Sequence, residues 1–468
     1  METRKEHDYL GPVEVPKDAY WGAQTQRASM NFPISGIRPY PEFIASLALI
    51  KRAAAEANMK AGLLEEKKAK AIMRAAEEVM KGKLREHFII DVYQAGAGTS
   101  NNMNANEVIA NRSIEILGGK RGDYSIVHPN DDVNKSQSTN DVIPTAMRLT
   151  TIGMLNGLAM TMDYAENAFM KKSKEFDKII KSGRTHLMDA APIRLGQEFE
   201  AWARMVHKDK SRVMAAMDRL FEINIGATAV GTGLNANPVY RTNMVDTLKR
   251  LTGYDLKPAD FLPEATQSMA DFLEVSAALR SFAADMVKIT NDIRLMNSGP
   301  VSGFEEISLP AVQPGSSIMP GKVNPSMAEA LLMVCFKVIG EDDTVLLCAQ
   351  AGQLELNITM PLIIWCITHS ITILDNACRL FVDKGVLGIK ANKDKIEKEV
   401  SRTPGVGLAL NPYIGYEKAA EVVKKAIADG IPIKEAAKKM KVLPDKKLDE
   451  IFDPFRLTSP DVSQKKKG

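Results

Sequence analysis

Phe272, Val275, Leu279, Phe282, Met286, Ile289, Ile293 and Met296 recur at alternating intervals of three and four residues. That spacing lines one face of an α-helix and fits no other regular element, so it predicts a helix over residues 271–297. At the helical rise this is a rod of roughly 40 Å, longer than a compact domain needs. A second rod is marked by Leu155, Leu158, Met162, Ala165 and Phe169, continuing to Phe176 and Ile180. A third occupies residues 326 to about 340, and a fourth follows Pro361. Apolar seams on rods of this length predict a mostly α-helical protein whose central bundle is completed by other subunits. A monomer would leave wide apolar faces uncovered.

Composition narrows the rest. A chain of 468 residues with 45% hydrophobic content has room for several domains and a large core. The 61 basic residues are nearly balanced by 58 acidic ones, leaving a net charge of +3 and no broad footprint for nucleic acid. The start, "METRKEHDYLG", is charged and lacks the apolar core of a secretory signal. The most apolar run, "MPLIIWCITHSITIL", is too short and too polar to span a bilayer, so no membrane association and a cytoplasmic setting are expected. Cys335, Cys348, Cys366 and Cys378 lack CxxC spacing and read as buried thiols, not as a metal site or a disulfide framework. The "QKKKG" tail reads as a solvated end.

Pattern changes divide the chain into three expected spans. Residues 1–140 mix short apolar runs with Gly, Pro and Asn and read as loop-rich; 141–395 hold the long rods; 396–468 form a small domain of shorter helices. Four polar segments interrupt this background: "GAGTSNNMNANE", "HPNDDVNKSQSTND", "SGRTHLMDA" and "QPGSSIMPGKVNP". The last is no phosphate loop. Five residues separate Gly315 from Gly321, and Val323 follows Lys322 where such a loop needs Ser or Thr for magnesium. It reads either as a surface connector or as a mobile lid whose hydroxyls, ammonium and amide bind an anion and supply a base.

The other segments contribute short neutral hydrogen-bonding groups, among them Thr99, Ser138, Thr139, Asn140 and Thr185, with Arg184 and Lys322 adding positive charge. That inventory suits a small dicarboxylate, since hydroxyls and amides orient it without a cluster of buried charges. "NMNANEV" reads as an Asn-rich turn or as a ladder of amides serving buried backbone. His186, placed between Thr185 and an expected helix start, reads as structural when taken alone; Glu329, on the helix after the lid, would orient and charge it if the two meet. Asp131 and Asp132 lack further spaced oxygens, so no metal is assigned.

Together these segments resemble the fumarase and aspartase superfamily, whose signature is "GSSIMPGKVNP". The resemblance implies a three-domain, mostly α-helical subunit whose long central helices form a shared core in a homotetramer, with each active site built from three subunits. It implies reversible elimination from the carbon next to a carboxylate-bearing carbon, giving fumarate through an aci-carboxylate intermediate, without a cofactor. By the same resemblance Ser316 would be the base. Thr99, Ser138, Thr139 and Ser317 would hold the carboxylate that becomes the aci form, and Thr185, Lys322 and Asn324 the other one. His186, paired with Glu329, and Asn140 would lie near the leaving group. "GAGTSNNMN", "NIGATAVGTGLN" and "AGQLELN" favour loss of ammonia from L-aspartate, whereas "WGAQTQRA" and "HPNDDVNKSQS" look like the branch that dehydrates L-malate, the alternative reaction. Members acting on larger succinyl substrates and an inactive helical scaffold are the weaker readings. Val301 and Ala409 depart from the family pattern, which usually has Arg and Thr there.

Overall fold

The seam that predicts a helix over 271–297 forms one in the computed structural model, which describes residues 2–460. The helix runs from Ala270 to Met296, and all eight seam residues are buried. Burying side chains of this size stabilises by roughly 2 kcal/mol each, so the seam explains why this segment is held as a rod. The "QKKKG" tail lies outside the described residues.

The chain opens with an antiparallel pair, β1 (Thr3–Asp8) and β2 (Gly11–Pro16), then helices α1 (Ala23–Asn31), α2 (Pro41–Lys60), α3 (Glu66–Met80) and α4 (Thr99–Ile116). Next come α5 (Thr139–Phe176), the hairpin β3 (Ile180–Thr185) and β4 (Met188–Arg194), and α6 (Leu195–Asp218), α7 (Pro238–Thr252) and α8 (Leu262–Gln267). The seam helix is α9, followed by α10 (Ser326–Gln350) and α11 (Met360–Lys384). Short helices over residues 393–457 complete the described chain around a core of Leu410, Val422, Ala436 and Leu448.

The expected rods are all present, with different lengths. The second begins at Thr139 and ends at Phe176, so Ile180 is not its continuation but the first residue of β3. The third runs ten residues past the expected end, from 340 to Gln350, because the apolar face persists through Val345 and Cys348. Helix α11 is long and apolar enough to pass for a membrane span, with 50% of its most apolar window buried inside the protein.

Two expectations fail. Residues 1–140 are not loop-rich: α2 and α3 pack Ala-rich faces, with Ala53, Ala54, Ala57, Ala69, Ala75 and Ala76 fully or nearly fully buried. Small side chains let helices approach closely where large apolar ones would have given a louder periodic signal. The "NMNANE" run is likewise no turn but the first part of α4. By contacts the chain separates into two units, Met1–Ala159 with Ser211–Ala283 and Cys335–Asp375, and Met160–Lys210 with Ala284–Val334 and Asn376–Gly468. These units interleave along the sequence, whereas the three expected spans are consecutive.

Candidate active site

The first group of polar residues gathers where α4 and α5 begin. Gly98 precedes α4 in the left-handed region at φ 83°, and a Cβ there would lie 3.1 Å from Ile143 of α5. Glycine therefore serves both the turn and the close approach of the two helix starts. Thr99 is the exposed first residue of α4, and Asn102, one turn later, donates through Nδ2 to Thr139 Oγ1 at 3.1 Å. Positions three apart share a helix face, so Thr99 and Thr139 lie on the same side of this junction.

Ser138, Thr139 and Asn140 form the turn into α5. Ser138 Oγ accepts from the Asn140 N–H at 3.2 Å. Asn140 Nδ2 donates to the Ala229 carbonyl at 2.8 Å. Pro144 explains part of this geometry: lacking an N–H, it leaves the Asn140 carbonyl without its intrahelical partner. The buried Asn224 amide fills the gap, donating to that carbonyl at 3.1 Å. Asp141 completes the frame, accepting from the backbone N–H groups of Ser138, Gly226 and Thr228, each at 3.0 Å. Burial lifts the Asp141 carboxyl to about 6, against the pull of those donors and of Lys51.

The loop at residues 315–324 has its own closed ring. Gly315 N–H donates to the Lys322 carbonyl at 2.8 Å, and Asn324 Nδ2 donates to the Gly315 carbonyl at 2.9 Å. Within the ring Ser316 Oγ accepts from the N–H groups of Ile318 at 3.2 Å and Met319 at 3.1 Å. Two N–H donors aimed at one hydroxyl oxygen favour negative charge on it, which a serine acting as base requires. Ser317 is exposed, and among the described residues Lys322 Nζ makes no ion pair or hydrogen bond. Lys322 and Asn324, with Asn297 and Ser308, line a cleft of about 490 Å³.

Thr185 and His186 lie on the β3–β4 hairpin, where the sequence had been expected to start a helix. Thr185 pairs with Met188, so His186 and Leu187 form a two-residue turn, with φ of 56° and 62°. Positive φ at both central positions matches the twist of a hairpin and rules out a helix start there. The imidazole is exposed, and among the described residues no hydrogen bond joins it to Glu329, which stands in the first turn of α10. Arg184 is not a free charge for substrate: it pairs with the buried Glu306 at 2.8 Å and lies over the Phe304 ring at 4.3 Å.

Several residues of this framework were missed in the sequence: Lys51, Asn102, Asp141 and Asn224. Lys51 had a signal, since with Leu47, Ala54 and Asn58 it falls on the buried face of α2, where an unpaired Lys does not belong. Asn102 and Asn224 had none, because a buried amide is indistinguishable by type from a turn amide.

Comparison with known proteins agrees with this architecture. The family pattern described as lyase matches residues 11–340, and that of the fumarase C C-terminus matches residues 409–459. An aspartate ammonia-lyase of Bacillus subtilis (strain 168) is 48% identical over 464 residues, covering 99% of this chain and 98% of its own. A class II fumarate hydratase of Halalkalibacterium halodurans is 44% identical over 461 residues, covering 98% of this chain and 100% of its own. The crystal structure of a fumarate lyase:delta crystallin from Brucella melitensis, bound to cobalt, superposes with a TM-score of 0.95 at 45% identity, covering 98% of this chain and 100% of that one.

Proposed function

The chain belongs to the fumarase and aspartase superfamily of lyases, and we propose that it catalyses the reversible deamination of L-aspartate to fumarate and ammonia as a carbon–nitrogen lyase. The observation that carries the choice of ammonia over water is the similarity, along the whole chain, to an aspartate ammonia-lyase. The Asn140 side chain suits that choice: one N–H goes to the Ala229 carbonyl, which orients the amide and leaves its oxygen available to accept from an ammonium. A substrate ammonium has only N–H donors and departs as ammonia without further protonation. Dehydration of L-malate is the second reading, favoured by the similarly covering match to a class II fumarate hydratase.

In this reading Ser316 removes the proton from the carbon next to one carboxylate, and the electron pair delocalises into that carboxylate as the aci form. Thr99, Ser138, Thr139 and Ser317 hold the dianion, each hydrogen bond strengthening as charge develops. Thr185, Lys322 and Asn324 hold the other carboxylate. The C–N bond then breaks, the pair leaving with nitrogen past Asn140 and His186. Residues 1–140 supply Thr99, Ser138 and Thr139 to the first carboxylate, 141–395 the rods and the lid with Ser317, and 396–468 the small domain of short helices.

The active unit is a homotetramer in which each site takes residues from three subunits. Support comes from the apolar side chains Phe336, Leu346 and Leu347, which stand on the outer face of α10 in the single chain with 57%, 43% and 61% of their surface exposed. Apolar exposure of that extent on one rod fits a helix–helix interface. The enzyme is placed in the cytoplasm, in keeping with the buried Cys335, Cys348 and Cys366 thiols.

The test is direct. Ultraviolet absorbance of fumarate is followed with L-aspartate in one cuvette and L-malate in another. Fumarate from aspartate supports the proposal; fumarate from malate alone replaces it with the hydratase.

A further inference from the structure

We infer that Lys51 is a positioning residue that fixes the direction in which the Thr139 hydroxyl donates, acting through the side chain of Asn102. The inference rests on the reading of Thr139 as a carboxylate ligand and deepens it.

Lys51 is fully buried in the middle of α2. Its ammonium donates to three amide oxygens: Asn102 Oδ1 at 2.7 Å, Asn134 Oδ1 at 2.9 Å and Gln137 Oε1 at 2.9 Å. An ammonium has three N–H donors and no acceptor, so each of these amides must turn its oxygen inward and its NH₂ outward. The outward ends follow that rule. Asn134 Nδ2 donates to the Gln137 carbonyl at 3.2 Å, and Gln137 Nε2 donates to the carbonyls of Val133 at 3.0 Å and Lys135 at 3.1 Å. Asn102 Nδ2 donates to Asn134 Oδ1 at 3.2 Å and to Thr139 Oγ1 at 3.1 Å.

The consequence lies at Thr139. Its oxygen accepts from Asn102, so its own O–H is not consumed inside the protein and points to whatever binds at the turn. A carboxylate, which only accepts, is served by that proton. The order ammonium, amide, hydroxyl, carboxylate is thus a relay of donors with one permitted direction. Asp141, on the next residue pair of the turn, is the opposite charge acting on Lys51 through space, and it too accepts only N–H groups. Burial pulls the Lys51 pKa down to about 7 with Asp141 opposing it, and all three N–H donors of the ammonium go to amide oxygens, so it does not compete with Thr139 for the substrate.

Asn102→Asp reverses the relay with little change of shape. A carboxylate there still accepts from Lys51, but it can only accept from Thr139, so the hydroxyl proton turns inward. Steady-state kcat/KM for L-aspartate is to be measured for the wild type, Asn102→Asp, Thr139→Val and the double variant, with thermal melting of each. Each single variant is expected to lose about 100-fold, the usual effect of one donor at a developing oxyanion. The double variant should lose little more than either, because both changes delete the same donated proton. Melting of Asn102→Asp should stay at or above the wild type, since the new carboxylate pairs with buried Lys51. Unchanged kcat/KM in Asn102→Asp, or losses that multiply in the double variant, would overturn the relay. If that variant is insoluble, Asn102→Ala, which frees the Thr139 hydroxyl to turn either way, should lose less kcat/KM than Thr139→Val and add nothing to it in the double variant; wild-type kcat/KM in Asn102→Ala would overturn the relay. A wild type silent with both aspartate and malate removes the underlying function and the relay together, whereas an active wild type with uncoupled variants removes the relay alone.

Discussion

Replacing Gly315 with Ala should cripple turnover through a single steric event. A Cβ at Gly315 would lie 2.7 Å from the Lys322 carbonyl oxygen, 2.8 Å from the Asn324 backbone nitrogen and 3.0 Å from Asn324 Oδ1. Ordinary carbon contacts begin near ~3.5 Å, so the two sides of the lid ring must separate by roughly half an ångström or more. The ring is closed by hydrogen bonds of 2.8 and 2.9 Å on either side of this residue, and both are stretched by that movement. Lys322 and Asn324 carry one substrate carboxylate in the proposed mechanism, and displacement of about 1 Å at such positions costs on the order of 100-fold. A loss in kcat/KM of roughly 10- to 100-fold is expected, or about 1.4–2.7 kcal/mol of transition-state stabilisation. Gly321→Ala is the control. Nothing lies within 4 Å of its Cβ, but its φ of 79° strains any other residue by roughly 1–2 kcal/mol. Fumarate formation and thermal melting are measured for both. Gly315→Ala turning over within twofold of the wild type would refute the reasoning, as would a loss explained by a collapsed melting temperature.

Four further outcomes follow from the same geometry. Ser316→Ala should lower kcat by at least ~1,000-fold with melting unchanged, as expected when a proton-transfer group is deleted, and substantial residual activity would remove Ser316 as the base. Lys322→Ala should raise KM for aspartate by roughly tenfold or more and depress kcat, because a charge-assisted hydrogen bond to a carboxylate is lost; wild-type kinetics would sink that role. Light scattering should give four times the 51.4 kDa chain mass, and a monomeric mass would refute the shared site. Burial raises the Glu107 carboxyl to about 7, against the N–H groups of Gly22, Gln24 and Thr25 that it accepts. A raised carboxyl pKa contributes stability that is fully present below the unfolded value and lost as pH rises through about 7. The free energy of unfolding should therefore fall between pH 4.5 and pH 7 by an amount on the order of 3 kcal/mol, lowering the melting temperature, and Glu107→Gln should flatten the slope; a slope that survives the substitution assigns it elsewhere.

The rods were legible because large apolar residues at helical spacing leave few alternatives, and the loop before α10 because Gly and Pro crowd the segment that carries Ser316, Ser317, Lys322 and Asn324. The N-terminal helices were not, since Ala-rich packing faces carry little hydrophobic contrast. His186 was misplaced for a different reason. A hairpin turn with positive φ normally announces itself with Asn or Gly, and here His186 and Leu187 occupy those positions. Pro144 was visible, but its effect was not: the missing N–H matters through Asn224, eighty residues further along the chain.

What no reading of residue types supplies is hydrogen-bond direction. A hydroxyl both donates and accepts, so Ser138, Thr139 and Asn140 are compatible with a cation, an anion or a neutral ligand. The fold removes the ambiguity from within. Ser138 Oγ accepts from the Asn140 N–H and Thr139 Oγ1 accepts from Asn102, which leaves both hydroxyl protons for an anion. The neighbouring Asn140 amide gives one N–H to the Ala229 carbonyl and keeps its oxygen, with its second N–H, for a ligand. One three-residue turn therefore offers donors to a carboxylate and an acceptor to an ammonium, the two charges of an amino acid substrate. Malate has the first charge without the second, and it gains nothing from the acceptor end that its hydroxyl could not obtain from water. In the proposed reading this turn meets both charges of aspartate, and Ala229, whose carbonyl orients Asn140, acts through its backbone, where no side-chain motif could have marked it.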